Sequence, residues 1–405
     1  MSDVVKWFRS DLTGAPVCNG TAGALIAVLD ATLVNGWGLQ TAASLTVASG
    51  VATMAMPATP TAIVGMVVLV AGATPAELNG EKRVLSTTSN SLTFASTSPD
   101  GAATGTITVK MAPAGWEKVF TGTNLAVYRS PNVQSTRQYL RVDDTTTTTA
   151  RVRAYESMTD VNTGVDMWMD NYWFKSQAAD ATARTWTLIA DDRTFYLRIE
   201  AGGQEAVYPF GDINPVRPND PFAAIGPNGY DVTTTNSGSN DPARVSANVY
   251  PFGISAVAQM RMPRSGNYLS KNVTAYRRPQ IPGPASSAAA ASTSSGVTGG
   301  AAGYVLPYPN TSDNALVFGR FSVQENANNN LRGHMRGVFC SPQNLYPHFG
   351  VDLTVIDGQG DLDGRKVSVL GCPGGINADG SAVISTCNNA QNPAGRLIVD
   401  LTGPW

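Results

Sequence analysis

Charged side chains are scarce in this sequence. Only 14% of its 405 residues are Asp, Glu, Lys or Arg, whereas about a quarter is usual in a soluble domain. The formal net charge of -2 and the pI near 5.7 give the chain no field that would attract DNA or an anionic membrane. We therefore expect no nucleic-acid partner. The surface must instead be polar without charge, which favours short strands joined by turns and surfaces that meet other subunits.

Long apolar runs are also missing. The strongest run, "AIVGMVVLVAGA" at 62–73, has 12 residues, whereas a membrane helix needs about 20. This run therefore predicts one or two buried strands. The first residues, "MSDVVKWFRSD", lack the apolar core of a signal peptide. We expect synthesis in the cytosol and no membrane insertion.

Cysteine and histidine are too sparse to indicate a reactive or metal site. The four cysteines form no C-x-x-C pair, and the only histidines are His334 and His348. A chain of this size folds without disulfides, so free thiols are expected. A pairing of Cys372 with Cys387 in a protein that ends outside a cell is the alternative. A nucleophile would need Cys340 beside a histidine, and zinc would need four converging ligands. No nucleotide-binding or zinc-protease motif is present, so the sequence predicts no enzyme and no cofactor.

One segment has the pattern of an amphipathic helix. In "NGTAGALIAVLDATLVNG", the spacing of apolar residues places a stripe on one helix face, formed by Leu25, Ile26, Leu29 and Leu33. Asn19 or Thr21 is the expected N-cap, and Gly36 can end the helix in a left-handed conformation. Such a helix either docks on its own domain or inserts into a neighbour.

Most of the remaining chain alternates apolar and polar residues in short runs separated by turn residues, as antiparallel strands do. The predicted fold is mainly β, with several small antiparallel β-barrel or sandwich modules and one short N-terminal amphipathic helix. The predicted segments are an N-terminal arm and helix at 1–38, a small β-barrel module at 39–112, a central antiparallel β domain at 113–280 with a long loop at 212–248, an Ala/Ser/Gly linker or arm at 281–303, and a C-terminal β domain at 304–405.

The stretch at 39–112 contains three short motifs in a characteristic order. A "G-x-x-V" strand at 65–68 is followed by an "ELNG" turn at 77–80 and by a "TF" strand at 93–94. Asn79 and Gly80 are expected to supply a turn with positive φ. This order resembles a small β-barrel module of bacteriophage virion proteins, which is often matched to the first catalytic cysteine half-domain of ubiquitin-activating enzymes. The resemblance implies no catalytic role.

Two adjacent carboxylates, Asp143 and Asp144, stand out in "YLRVDDTTTTTARV". Paired catalytic carboxylates face one substrate about 5 to 10 Å apart, but neighbouring residues of a strand point to opposite faces. The order strand, Asp-Asp, strand recurs in "LIADDRTFYLRI", which contains Asp191 and Asp192. The repeat favours hairpins whose carboxylates accept hydrogen bonds from turn N–H groups. Replacing both Asp143 and Asp144 by Asn is then expected to cost about 1–2 kcal/mol.

The stretch "DGQGDLDGR" at 357–365 is the best candidate for a cation loop. It fails the EF-hand pattern, which requires Gly at position 6 and Glu at position 12. A turn between two strands is the favoured interpretation. A weak Ca²⁺ site formed by Asp357, Asp361 and Asp363 is the alternative.

The densest aromatic cluster consists of Trp168, Tyr172, Trp173 and Phe174. Core packing is favoured for these residues, followed by a subunit interface and then by a carbohydrate-binding platform. The basic segment at 261–280 also contains two tyrosines. Such a pattern can bind single-stranded nucleic acid, but a solvated or subunit-contacting pair of strands is favoured.

Three further stretches carry a broader resemblance: "GTITVKMAPAGWEKVFTGTNLAVYRS", "RTWTLIADDRTFYLRIEAGGQEAVYPFGDI", and the pair "GHMRGVFCSPQN" and "DLDGRKVSVL". Together they resemble a family of tailed-bacteriophage and prophage proteins that act in the virion or its morphogenesis. The resemblance implies a structural component of the virion, most plausibly at the tail tip or baseplate. Its partners would be other virion proteins and copies of itself. The alternatives are a decoration protein of the head, neck or collar, and a module that binds a host polysaccharide or pilus.

Overall fold

The computed structural model describes residues 4–201, 204–227, 257–264, 270–277, 314, 319–325, 331–340, 355–359, 362–370, 374–376, 382–384 and 397–405. Across these ranges, antiparallel strands dominate and helical structure is confined to short segments. The mainly β fold class is therefore confirmed. The predicted linker at 281–303 and the pair Cys372 and Cys387 lie outside the described residues.

The N-terminal segment packs on the body of the chain. Strand β1 (Lys6–Arg9) pairs with a strand of the largest sheet. Helix α1 (Ala24–Leu29) continues directly into a π-helical turn (Asp30–Asn35). The predicted apolar stripe is buried along this helix, and Gly36 ends it with a φ of 68°. The helix thus docks on its own chain through the face that its sequence pattern predicts.

The next eight strands form a closed barrel. They are β2 (Gln40–Thr41), β3 (Ser44–Ala48), β4 (Val51–Ala55), β5 (Val67–Ala71), β6 (Gly80–Thr87), β7 (Ser91–Ala95), β8 (Gly101–Ala102) and β9 (Thr108–Met111), with a 3-10 turn at Ala76–Leu78. Strands β2 and β3 follow one another directly in the chain, and they lie at opposite ends of the strand order, where β2 pairs with β9 and β3 pairs with β4 and β8. The two ends of the sheet therefore meet, and the sheet closes on itself. Closure leaves the barrel few free edges.

Alternation along the barrel strands places their apolar side chains inside. Strands β3 and β4 both alternate exposed and buried positions, as half-buried strands do. At the "ELNG" turn, Gly80 has a φ of 91°, whereas Asn79 has a φ of -79°. Asn79 instead bonds the backbone N–H and carbonyl of Ala73 through its side-chain amide, at 2.8 and 2.7 Å. The predicted positive φ is therefore confirmed for Gly80 and wrong for Asn79. The independence of 39–112 as a domain stays a prediction.

A five-stranded antiparallel meander follows the barrel. Its strands are β10 (Glu117–Gly122), β11 (Leu125–Arg129), β12 (Tyr139–Asp143), β13 (Thr149–Met158) and β14 (Gly164–Phe174), in sequence order. One face carries alternating buried residues such as Leu140, Val142, Val152 and Ala154. This face joins the barrel, the helix and the largest sheet in one continuous hydrophobic core.

The largest sheet contains β1 and most of the later strands. They are β15 (Thr185–Ala190), β16 (Thr194–Ala201), β17 (Gln204–Asp212), β18 (Asn214–Pro215), β19 (Ala224–Pro227), β20 (Val257–Pro263), β21 (Ser270–Arg277), β22 (Gly319–Glu325), β23 (Leu331–Cys340), β24 (Val355–Asp357), β25 (Lys366–Leu370) and β28 (Leu397–Asp400). A separate hairpin is formed by β26 (Gly374–Ile376) and β27 (Ala382–Ile384).

Two short strands occupy part of the predicted loop at 212–248. Strand β18 pairs with β23, and β19 pairs with β17 and β20. The loop prediction is therefore wrong for these residues, and 228–248 lies outside the described ranges. Proline has no N–H to donate, so it is confined to short or marginal strand positions, and each of these strands ends at one, Pro215 or Pro227.

Arg83 joins the barrel to both ends of the described chain. Its guanidinium donates hydrogen bonds to the carbonyls of Gly65 (2.7 Å), Leu401 (3.2 Å), Val5 (3.3 Å) and Thr402 (3.1 Å). Burial lowers the pKa of this guanidinium, and nearby Asp400 opposes the shift. A single side chain thus connects strand β6 with segments far away in the sequence.

We expect Arg83→Met to lower the free energy of unfolding by about 2–4 kcal/mol, because charge-assisted hydrogen bonds are lost and buried carbonyls are left unpaired. Equilibrium unfolding in urea measures the change. Arg137→Met is the control, because the side chain of Arg137 is 43% exposed and lies 3.8 Å from Glu117. Equal losses in both variants would contradict the role assigned to Arg83.

Candidate functional site

The adjacent residues Asp143 and Asp144 have different environments at the β12–β13 hairpin. Asp143 is half-buried, and its Oδ1 accepts bonds from the Thr145 N–H at 3.4 Å and the Thr145 hydroxyl at 2.7 Å. Its Oδ2 lies 3.5 Å from Arg141. These local contacts match the turn interpretation of Asp143. They also place the guanidinium of Arg141 beside its carboxylate.

Asp144 makes contacts far from its own turn. Its Oδ2 accepts hydrogen bonds from the N–H groups of Leu25 (2.7 Å) and Ile26 (3.1 Å), 119 and 118 positions away in the sequence. Its Oδ1 forms an ion pair with Lys175, and both side chains are 0% exposed. The Lys175 ammonium also donates to the Thr21 carbonyl at 2.6 Å. Asp144 therefore caps helix α1 from a distant hairpin.

Neither Asn19 nor Thr21 is the N-cap of helix α1, so that prediction is wrong. Gly23 occupies the N-cap position with a φ of 82° and has no side chain to accept a hydrogen bond. The Asn19 Oδ1 accepts bonds from the N–H and hydroxyl of Thr21 instead. Because the local cap is absent, the first helical N–H groups would be unsatisfied without the carboxylate of Asp144.

The burial of the Asp144–Lys175 ion pair indicates a structural role for Asp144 and not a catalytic one. Burial raises the pKa of Asp144, although the ion pair with Lys175 and the two helix N–H groups oppose that shift. Both charged groups lie out of reach of solvent, so neither can meet a substrate. Breaking a buried ion pair costs about 3–5 kcal/mol, so we expect the loss of the Asp144 carboxylate to cost more than the roughly 1–2 kcal/mol of two turn hydrogen bonds.

Cys18 lies beside the same pair. Its Sγ is 3.6 Å from the Lys175 carbonyl oxygen, and its backbone forms a bridge with Arg184. Burial raises the pKa of the Cys18 thiol to about 12. Only the thiolate is reactive, so this cysteine is chemically inert in the folded chain.

We expect Cys18 to resist alkylation by iodoacetamide at pH 8 until the protein is unfolded, because almost no thiolate forms below its raised pKa. Mass spectrometry of the peptide that contains Cys18, with and without denaturant, measures the protection. The same peptide labelled in denaturant is the positive control. Rapid labelling of the folded protein would contradict the burial of this thiol.

The second Asp-Asp sequence also lies at a hairpin, between β15 and β16. The Oδ1 of Asp191 accepts bonds from the N–H groups of Arg193 (2.9 Å) and Thr194 (2.7 Å). Its Oδ2 forms a buried ion pair with Arg336 of strand β23. Asp192 accepts a bond from the Asn132 side-chain amide at 3.0 Å. The repeat thus marks two hairpins, and in each one a carboxylate ties the turn to a distant part of the chain.

Sequence reasoning missed two further carboxylates of this kind. Asp212 accepts bonds from the N–H (3.1 Å) and hydroxyl (2.6 Å) of Thr136 and from Arg193 (2.8 Å). Asp400 accepts bonds from the N–H groups of Thr402 (2.8 Å) and Gly403 (3.2 Å) and pairs with Arg365. Each aspartate ends a strand of apolar residues, "YPFGD" or "LIVD". That position is a sequence signal for a buried acid.

The aromatic cluster on β14 lies mainly in the core. Trp168, Trp173 and Phe174 are buried, as the favoured interpretation predicts. Trp173 stacks on Tyr208 with ring centroids 4.8 Å apart, and Trp168 stacks on Phe210 at 6.0 Å. These three rings are unavailable to a ligand in the folded chain.

Tyr172 is the member of the cluster that reaches the surface. It is half-buried, and the Arg151 guanidinium lies 5.4 Å from its ring centroid. Arg151 also forms an ion pair with Asp170 at 2.8 Å. A single half-buried ring among paired charges is a small basis for a carbohydrate-binding platform.

The candidate Ca²⁺ residues are only partly described. Asp357 is exposed and pairs with Lys366 across the β24–β25 hairpin, and Asp363 is exposed in the connecting turn. Asp361 lies outside the described residues. Among the described residues, no group of three acidic, histidine or cysteine side chains is arranged to hold a metal ion.

The basic segment includes the antiparallel pair β20–β21, so the predicted pair of strands is confirmed. Arg264, which follows β20, pairs with Glu156 at 2.7 Å and Asp166 at 3.1 Å.

The side chain of Cys340 and the whole of His348 lie outside the described residues. Within the described ranges, no helix is long and apolar enough to cross a membrane.

One surface of the barrel carries no charged side chain. We call it the barrel face. It is formed by outward residues of β3, β4 and β7 and by the C-terminal end of β6, beyond the charged stretch Glu81–Arg83: Ser44, Thr46, Ala48, Val51, Thr53, Ala55, Leu85, Ser86, Ser91, Thr93 and Ala95. Its members are exposed or half-exposed. The sparse charge of the sequence is thus concentrated elsewhere on the molecule.

Comparison with known proteins gives the chain no family. Neither a protein-family model nor a curated protein matches it.

Proposed function

We propose that this chain is a structural component of a tailed-bacteriophage virion, located at the tail tip or baseplate, and that it acts by assembly with copies of itself and other virion proteins. The observation that carries the proposal is the structural role of the two Asp-Asp sequences. Asp144 and Asp191, the best candidates for chemistry in the sequence, are both buried and tied to distant segments. Such carboxylates fix the shape of the chain and leave nothing for a substrate to contact.

The distribution of charge supports the same role. A freely solvated sheet face normally mixes both signs of charge, whereas the barrel face has neither. An uncharged face loses little hydration energy when a neighbour covers it, because burying a charge is far more costly than burying a hydroxyl that finds a partner. The resemblance of the sequence to virion proteins supports the particular assembly named here.

Purified particles of the phage or prophage that encodes the chain provide the test. Peptide mass spectrometry should find the chain in intact virions, and deletion of its gene should give particles that lack tails or complete tail tips. Absence of the chain from purified virions would contradict the proposal.

Two other phenotypes separate the alternatives. Particles with defective heads or collars after deletion would favour a decoration protein of the head, neck or collar. Particles that assemble normally but fail to adsorb would favour a module that binds a host glycan or pilus. In that case Tyr172→Ala, which removes the half-buried ring beside Arg151, should reduce adsorption if that ring contacts the receptor.

A further inference from the structure

Lys175 carries a buried amine in contact with a buried carboxyl group. The lysine directly follows strand β14, and it pairs with Oδ1 of Asp144, which directly follows β12. Strand β13 lies between these two strands in the sheet, so the contact joins chain segments 31 positions apart. Both side chains are 0% exposed. Bulk water is therefore excluded from the two groups, which face each other alone.

The second carboxylate oxygen of Asp144 is held by two backbone N–H groups. Its Oδ2 accepts hydrogen bonds from Leu25 at 2.7 Å and from Ile26 at 3.1 Å. Two converging N–H donors are the arrangement that stabilises the negative oxygen of a tetrahedral intermediate in acyl transfer. These donors therefore activate the carboxyl carbon of Asp144 towards a nucleophile that is already in contact with it.

Transfer of one proton converts the ion pair into a neutral acid and a neutral amine. Burial disfavours charged forms, and it raises the pKa of the Asp144 carboxyl group. The proton can pass directly from the Lys175 nitrogen to Oδ1, because these atoms are hydrogen-bonded. A neutral lysine amine is a nucleophile, and a contact fixed by the fold replaces a bimolecular encounter. The folded chain thus holds both reactants of an amide condensation together.

We infer that Lys175 and Asp144 condense in the folded chain to form a side-chain amide, an isopeptide bond between the ends of β12 and β14. The Nζ lone pair attacks Cγ of the neutral acid and forms the C–N bond, while the electron pair of the Cγ–Oδ2 double bond moves onto Oδ2. One proton of the attacking nitrogen passes to the Oδ1 hydroxyl. The Cγ–Oδ1 bond then breaks, Oδ1 leaves as water, and Oδ2 becomes the amide carbonyl oxygen. An acid and an amine give an amide and water, so no oxidant or other co-reactant is needed.

The surroundings of the pair match the hydrogen bonds of the amide product. Oδ2 keeps the Leu25 and Ile26 N–H donors, and the remaining Nζ–H keeps the Thr21 carbonyl, which the lysine contacts at 2.6 Å. The ammonium, by contrast, has three N–H groups, and within the described ranges its acceptors are Asp144 and Thr21. The amide leaves no N–H without an acceptor and buries no charge, which is costly in an interior.

Mass spectrometry of the full chain tests this bond. The purified and denatured chain should have a mass lower, by one water molecule, than the mass calculated from its sequence. Trypsin cleaves after arginine and unmodified lysine, so digestion should give one branched peptide in which 142–151 is joined to 154–184. Fragmentation should place the junction at Asp144 and Lys175. Lys175→Met has no amine at this position and should show the full calculated mass and no branched peptide.

Lys118 and Asp30 provide a matched control within the same chain. They form an ion pair at 2.8 Å, but their side chains are 23% and 25% exposed, and the other oxygen of Asp30 accepts a bond from the Tyr128 hydroxyl instead of two N–H groups. Their peptides should remain unlinked.

Three results would overturn the inference. The first is an unmodified chain with its full calculated mass. The second is a loss of water without the branched peptide, which a succinimide at an aspartate would produce. The third is equal linkage of Lys118 to Asp30, because the burial and the paired N–H donors of Asp144 would then not direct the reaction.

Discussion

Lys175→Met should lower the free energy of unfolding by about 3–5 kcal/mol, because it leaves the carboxylate of Asp144 buried without its counter-charge. In the folded chain this ammonium is 0% exposed and contacts both Asp144 and the carbonyl of Thr21. Methionine has a similar length but donates no hydrogen bond. Equilibrium unfolding in urea, followed by tryptophan fluorescence, measures the loss because Trp168 and Trp173 are buried.

Lys118→Met is the control for this substitution. Lys118 forms an ion pair with Asp30 at 2.8 Å, but both side chains remain about a quarter exposed, at 23% and 25%. A partly solvated pair of this kind contributes no more than about 1 kcal/mol. Equal losses from the two lysine substitutions would show that burial does not distinguish the Asp144–Lys175 pair.

The deficit of Lys175→Met should shrink as the pH falls from 7 towards 5. The pKa of Asp144 is already raised by burial, and removal of the lysine removes one of the forces that oppose this shift. A carboxyl group with a raised folded pKa adds most stability below its unfolded pKa, and that stability is lost as the pH rises through the folded pKa. The variant can therefore bury Asp144 as a neutral acid at lower pH. A deficit that grows on acidification would contradict this sign.

Asp191→Ala should cost about 5–7 kcal/mol. The substitution leaves Arg336 buried without its carboxylate partner, and it also removes the acceptor of the Arg193 and Thr194 N–H groups. The first effect alone costs about 3–5 kcal/mol, and each unsatisfied N–H adds roughly 1 kcal/mol. Urea unfolding measures the difference.

Asp143→Ala is the matched control, because it removes the corresponding carboxylate of the other Asp-Asp hairpin. Asp143 is half-buried, and its hydrogen bonds remain within its own turn or with Arg141. We expect a loss of about 1 kcal/mol. If Asp143→Ala were as damaging as Asp191→Ala, turn chemistry alone would explain both pairs.

Local sequence patterns predict the elements of this fold well. The alternation in "ARVRAYESM" and "RTFYLRIEA" predicts strands β13 and β16, and the repeated Asp-Asp sequence predicts the hairpins that precede them. The apolar stripe of the helix and the burial of the β14 aromatics are also local signals. In each case, neighbouring residues determine which face of an element is apolar.

Sequence patterns do not identify the distant residues with which these carboxylates form hydrogen bonds and ion pairs. Nothing near Asp144 indicates that it accepts bonds from Leu25 and Ile26, because the two segments meet only after the sheets have packed. The same holds for Asp191 and Arg336, which are 145 positions apart. The N-cap residue itself usually supplies the capping side chain, but here that residue is Gly23, which has none.

These distant contacts show where the chain places its few charged side chains. Several of its acids lie at strand ends in the interior, where each holds two or three segments together. In a low-dielectric interior such bonds are strong when satisfied and costly when broken. The proposed assembly role fits this use of charge, because copies that pack together must share one fixed shape.

The coupling energy between Asp144 and Lys175 tests the architectural role of the acidic pair most directly. It is obtained by measuring the free energies of unfolding of Asp144→Asn, of Lys175→Met, of the double variant and of the unmodified chain. Asparagine retains an oxygen that can accept the Leu25 and Ile26 N–H groups, so the cycle isolates the ion pair. We expect the double variant to lose at least about 2 kcal/mol less than the sum of the single losses. Additive losses would show that the two groups do not stabilise the fold as a pair, and the architectural role of Asp144 would then be wrong.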